Sequence, residues 1–150
     1  MKFRMRSLMM ACVAMTMPFG LEYSGVADAC TRFVYHGAHD EVITARSMDW
    51  KSDVGTNLWL FPRGMKRSGA AGPHSVEWVS KYGSVIASGY DVSTTDGMNE
   101  AGLVANVLWL AESSYPHYAG QTHALALAAR ALSLLDNFAT ISQAANDLES

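Results

Sequence analysis

The chain has 150 residues, nearly half of them hydrophobic, and a net charge of −3 with histidine neutral. That is enough apolar material for one ordinary core, and it excludes a disordered chain. No basic stretch beyond the N-terminus is long enough to suggest nucleic acid.

The first 29 residues stand apart. Lys2, Arg4 and Arg6 give a positive start, Ser7 to Gly20 is apolar and uncharged, and Ala27-Asp28-Ala29 supplies small residues around a cleavage site. This is the order of a secretory signal peptide, and the apolar run is too short to span a bilayer. The expected division is therefore a signal peptide over 1–29 and a mature domain over 30–150. The product would be exported, periplasmic or secreted, with no stable membrane insertion after processing. Removal of the segment leaves 8 basic and 12 acidic residues, and it removes Cys12. Cys30 then becomes the first residue and the one remaining cysteine.

A lone cysteine in an exported chain has three readings: a nucleophile, a lipid-modified anchor, or a partner for a cysteine further along a longer protein. The nucleophile is preferred. Asp28 fits a lipidation box poorly, and Glu22–Val26 separates the apolar stretch from the site.

Downstream, 31–36 and 41–50 are rich in β-branched and aromatic residues around turn residues Gly37–Asp40, which predicts a β-hairpin. Asn57–Phe61 reads as a strand closed by Pro62. Arg63–Pro73 reads as a mobile, Gly-rich basic loop. Ser75–Val79 and Ser84–Val92 read as strands around a Lys81–Gly83 turn, and Thr94–Met98 leads into a tight turn at Asn99–Gly102. Leu103–Leu110 reads as an apolar strand buried on both faces. After a loop at 113–120, Thr122–Leu135 is Ala- and Leu-rich without Gly or Pro, so it predicts a helix ended by Asp136-Asn137. Thr140 with Gln143 forms a capping-box pattern that starts a second helix. Strands followed by helices argue for an α+β fold. The chain stops inside that helix, the pattern expected of the N-terminal part of a longer domain.

The chemistry starts at Cys30. A thiol is a weak nucleophile until deprotonated. As an N-terminal residue Cys30 carries its own base, an α-amine with a reference pKa of about 8. Two charged candidates lie in ARSMDW: Arg46 to favour the thiolate, and Asp49 to hold the amine. Residues three apart on a regular strand face opposite sides, so both can serve only if the strand ends or kinks near Ser47–Met48. Taken alone, both also read as ordinary strand-end charges. The five histidines show no metal-ligand spacing, and no cofactor is called for.

CTRFVYH, ITARSMDW, DGMNEAGL and LLDNFATI, in this order from Cys30 onward, resemble the choloylglycine hydrolase family of N-terminal-nucleophile enzymes, which includes penicillin V acylases and conjugated bile salt hydrolases. The resemblance covers Cys30 to about Ser150. It implies a four-layer αββα fold, incomplete in this chain, and catalytic roles for Cys30, Arg46 and Asp49. It also implies hydrolysis of a small-molecule linear amide through a thioester. Trp109 falls where many members carry Asn or Tyr, as in the Gram-negative branch, so the oxyanion contact passes to a backbone N–H or to a residue beyond position 150. Trp50, Trp59 and Trp109 are candidates to line an apolar acyl pocket, Trp50 and Trp109 foremost, with core packing an equal alternative. Penicillin V-like amides, N-acyl homoserine lactones and bile conjugates all fit, the last least well. A homo-oligomer of the complete protein is compatible with the resemblance. Outside the hydrolase class stand an exported lipoprotein binding domain and an inactive truncated product.

Overall fold

The computed structural model describes residues 30–110, 112–115, 117, 119 and 123–149; the predicted signal segment lies outside them. The elements in order are β1 (Arg32–His36), β2 (Val42–Arg46), β3 (Asn57–Phe61), β4 (Lys66–Ser68), β5 (Glu77–Val79), β6 (Ser84–Gly89), β7 (Ser93–Asn99), β8 (Val104–Asn106), α1 (Leu127–Asn137) and α2 (Ile141–Glu149). β1 and β2 form the expected antiparallel hairpin, with Phe33 opposite Ala45. A short 3-10 turn over Ala38–Asp40 joins them. β3, β6, β7 and β8 form an antiparallel sheet in the order β3-β6-β7-β8, and β4 pairs with β5 separately.

Three expectations are corrected. The basic loop 63–73 contains β4, whose Arg67 is drawn inward by a buried partner described below. The strand beginning at Ser84 ends at Gly89, because Tyr90 and Asp91 both take positive φ (54° and 53°) and turn the chain into β7. Leu103–Leu110 is a strand only over 104–106. Pairing with β7 stops at Asp96↔Asn106; the Val107 N–H then bonds the Thr95 carbonyl at 2.8 Å, and Leu108, Trp109 and Leu110 emerge exposed. α1 ends at Asn137, as the Asp136-Asn137 pair predicts, with Asp136 fully buried in its last turn. The predicted helix start at Thr122 lies outside the described residues, and α1 begins at Leu127. The second helix starts as the capping box predicts. Gln143 Oε1 accepts the Ala139 and Thr140 N–H groups (2.9 and 3.3 Å), and Thr140 Oγ1 accepts the Gln143 N–H at 3.3 Å.

The sheet has two unlike faces because side chains alternate along each strand. On one face Ile86 packs with Leu103, Leu135 and Ala144, flanked by Phe61, Ala105, Leu132 and Phe138. Burying a residue such as Leu135 contributes about 2–3 kcal/mol. Gly97 permits the close approach of α1: a Cβ there would stand 2.6 Å from Leu135 Cδ1 and 2.8 Å from Ile86 Cγ2. Asn99 locks the same junction. Its Nδ2 donates to the carbonyls of Leu135 (2.8 Å) and Phe138 (2.7 Å), while its Oδ1 accepts the Ala101 and Leu103 N–H groups.

Asp136 adds a buried polar link. Its Oδ2 accepts from Trp78 Nε1 at 2.8 Å and Arg67 Nε at 3.3 Å, and its main-chain carbonyl accepts from Lys81 and Tyr82. Arg67 also lies over the Phe61 ring at 4.1 Å. Burial pushes the Asp136 carboxyl above its usual range, with Trp78 and Arg67 pulling the other way.

The opposite sheet face carries Leu58, Leu60, Val85 and Met98, all exposed, the two leucines by more than three quarters. Exposed apolar faces favour association. Residues 30–150 produced alone are expected to bind an apolar dye such as ANS, and a soluble monomer that leaves the dye dark would contradict this. The Asp136 cluster gives a second expectation. Asp136→Ala strands Trp78 and Arg67 without their acceptor and should cost about 3 kcal/mol or more in denaturant unfolding. Because the folded-state pKa is raised, the ionised carboxylate is penalised progressively as pH rises from the unfolded value through the folded one. Asp136→Asn should therefore gain stability relative to the native chain across that window. A pH-independent difference would contradict the assignment.

Candidate active site

Cys30 is a free thiol of intermediate burial. It lines a cavity of about 190 Å³ together with Met48, Trp50, Tyr90, Val107 and Trp109 among others. Trp50 and Trp109 meet edge to face with ring centroids 5.6 Å apart. Of the expected site residues, the structure thus brings Cys30, Trp50 and Trp109 to one apolar, aromatic wall. Trp59 is elsewhere, stacked on Phe61 at 6.3 Å with its Nε1 donating to Ser88 Oγ. It is therefore not part of this lining.

The backbone before the tryptophan explains how the charged residues are placed. β2 ends at Arg46, so Asp49 is freed from strand alternation. The Ser47 N–H bonds the Thr31 carbonyl at 2.9 Å, and Ser47 Oγ accepts the Thr31 N–H at 3.4 Å. The same hydroxyl donates to Asp49 Oδ2 at 3.1 Å. Asp49 is thereby one hydroxyl removed from the residue that follows Cys30.

Arg46 turns away from the cavity lining toward the sheet. Its side chain is 8% exposed, and Nε lies 2.7 Å from Asp96 Oδ1. Its Nη2 donates to the Val107 carbonyl at 2.5 Å. Arg46 and Asp96 line a second, more open groove of about 580 Å³ between the hairpin and the outer sheet face, with Ile43, Met98, Val104 and Asn106. That groove is larger, but its lining includes no cysteine; Cys30 lines the smaller cavity.

Two contributors were not singled out from the sequence. Tyr90 forms part of the cavity wall, and its phenol oxygen accepts from Trp50 Nε1 at 3.1 Å and shares a 3.0 Å hydrogen bond with Ser52 Oγ. It occupies a left-handed backbone conformation, which costs about 1 kcal/mol or more for a non-glycine residue. The surroundings hold it there. The Tyr90 N–H bonds the Val54 carbonyl at 2.7 Å, and the Asp91 carboxylate receives Asn57 Nδ2 and Ser88 Oγ. These bonds, Asn57 first, hold the Asp91 carboxyl below its usual range. The Gly-Tyr-Asp run was the available signal for this turn. The other contributor is Asp96, which stands in the DGMNEAGL motif but was read there only as part of a turn.

A bulge shapes this edge of the cavity. Ala87 faces Asp96 while Ser88 faces Thr94, leaving Thr95 as the extra residue on β7. Its hydroxyl donates to the Ala87 carbonyl at 3.1 Å. Such insertions re-aim side chains locally, and Ser93 and Thr95 both reach the Cys30 cavity.

Comparison with known proteins extends this picture. Residues 30–150 match the family model described as linear amide C–N hydrolases, choloylglycine hydrolase family. A penicillin V acylase of Pectobacterium atrosepticum is 57% identical, over 84% of this chain and 36% of its own length. The solved penicillin V acylase of Agrobacterium tumefaciens superposes with a TM-score of 0.75 at 72% identity, over 79% of this chain and 37% of that one. The chain thus spans little more than a third of the length of these relatives. It has the mixed sheet-and-helix fold of N-terminal-nucleophile hydrolases over the part it covers. The match begins at Cys30 and runs through the hairpin, the sheet and both helices: this chain belongs to the choloylglycine hydrolase family.

Proposed function

We propose that this chain supplies the nucleophile-bearing part of an exported amidase of the penicillin V acylase type. The observation that carries the reading is the position of Cys30, first residue of the family match, in an apolar cavity walled by Trp50 and Trp109. Cleavage after Ala29 would leave Cys30 with a free α-amine. That amine takes the thiol proton, and the thiolate attacks the amide carbonyl. The tetrahedral intermediate collapses as the amine passes its proton to the leaving nitrogen, and the C–N bond breaks. A thioester remains on Sγ. Water, deprotonated by the same amine, attacks it; the C–S bond breaks and the thiol regains its proton as the acid departs.

In this reading Asp49 holds the α-amine and Arg46 raises the positive potential on the sheet side of the thiol. Trp50, Trp109 and Tyr90 form a wall suited to a flat, apolar acyl group. Similarity to two penicillin V acylases favours a phenoxyacetyl-type amide over a bile conjugate. N-acyl homoserine lactones are the second substrate class to assay.

N-terminal sequencing of exported protein should begin at Cys30 with an unmodified amine. A diacylglycerol on Cys30, or a start elsewhere, would contradict the mechanism. In the complete protein, Cys30→Ser should lower amide turnover on the order of a thousandfold or more, whereas full activity in Cys30→Ala would overturn the assignment. Trp109→Ala should raise KM for a phenoxyacetyl amide by about threefold to tenfold, the worth of one aromatic contact, with a smaller change in kcat. An unchanged KM would remove Trp109 from the pocket.

A further inference from the structure

The outer face of the sheet is apolar at Leu58, Leu60, Val85 and Met98. Asp96 is a polar exception on it, paired across to Asn106 on β8. Asn106 Nδ2 donates to Asp96 Oδ1 at 2.8 Å, and the same oxygen lies 2.7 Å from Arg46 Nε. The Nε approach is too oblique for a directed hydrogen bond, so charge attraction dominates this contact. An ion pair withdrawn from water is a weak source of stability, since desolvation offsets much of the attraction. What this pair does supply is position. Arg46 is held at a second point by the Val107 carbonyl, and Val107 lines the Cys30 cavity.

The geometry points to Asp96 as a positioning residue for the nucleophile: its carboxylate, oriented by Asn106, fixes the Arg46 guanidinium against the sheet edge that walls the Cys30 cavity. The catalytic consequence rests on the reading of Cys30 as nucleophile given above; the coupling of Asp96 to the thiol through Arg46 does not. With Asp96 in place, the guanidinium is held between that carboxylate and the Val107 carbonyl. Without it, Arg46 retains the Val107 carbonyl but loses its counter-charge.

A double-mutant cycle in the complete protein separates this from a purely structural role. Asp96→Ala and the near-isosteric Asp96→Asn are made alone and together with Arg46→Gln. The readouts are kcat and KM for amide hydrolysis, the iodoacetamide alkylation rate of Cys30 mapped by peptide mass, and the melting temperature. Asp96→Ala should lower kcat by about tenfold or more through misplacement, with KM changed by less than about threefold. Asp96→Asn, which keeps an acceptor oxygen but not the charge, should lie between. Either substitution should change the Cys30 alkylation rate when Arg46 is present and leave it unchanged in the Arg46→Gln background. An equal effect in both backgrounds, or native kcat and alkylation in a folded Asp96→Ala protein, would overturn the proposal. Where Asp96→Ala fails to fold, the Asp96→Asn cycle carries the same comparison. Absence of amide turnover in the native protein would instead count against the proposed function, because the alkylation cycle reads the coupling without substrate.

Discussion

The guanidinium of Arg46 joins the β1–β2 hairpin to the four-stranded sheet. The β1–β2 hairpin carries Cys30 at its entrance, and a two-stranded hairpin is marginal by itself in water. The cavity wall opposite, at Val107 and Trp109, belongs to the end of the four-stranded sheet. By holding both Asp96 and the Val107 carbonyl, Arg46 ties the hairpin to that sheet edge. The charge is desolvated, and the arrangement is tolerable because it meets a carboxylate and a carbonyl instead of an apolar surface. The hairpin that carries Cys30 is thus tied by a charged contact to the sheet edge that carries Val107.

At the other end of the sheet, polar side chains perform the corresponding task beside a small apolar core. Asn99 satisfies two carbonyls at the end of α1 and two N–H groups of its own turn. Asp136 ties the same helix to Trp78 and Arg67 of the β4–β5 pair. Each buried group is matched to specific partners, and loss of one partner costs more than the bond itself contributes. The helix layer and the active-site edge are thus fixed independently, and β6 and β7 connect them. Gly97 lets α1 lie close to the strand, while the bulge at Thr95 turns the far end of that strand toward the cavity.

Much of this was legible in the sequence because local signals and tertiary demands agreed. Stretches rich in β-branched and aromatic residues around Gly37–Asp40 predicted the hairpin, Pro62 closed β3, and Thr140 with Gln143 marked the start of α2. The failures came where long-range contacts overrode composition. Lys66–Ser68 looked like loop, but Arg67 finds Asp136 some 69 residues away and the segment becomes a strand. Leu103–Leu110 looked uniformly buried, yet the chain leaves the sheet after Asn106 and turns Trp109 toward the cavity. Asp136 correctly marked the end of α1, but nothing local reveals that Trp78 and Arg67 await its carboxylate. At the site, Cys30, Trp50 and Trp109 could be named from motif and residue type. Tyr90 and Asp96 could not, because their roles arise from a strained turn and a cross-sheet ion pair.

The central claim is that Cys30 carries the acyl group during amide hydrolysis. The most direct measurement is peptide mapping of an acid-quenched turnover mixture of the processed, complete protein with a phenoxyacetyl amide. A thioester-linked phenoxyacetyl increment is predicted on the N-terminal peptide beginning with Cys30, labile to hydroxylamine and absent in Cys30→Ser. Turnover with an unmodified Cys30 peptide at every quench time, or an acyl group on another residue, would contradict it.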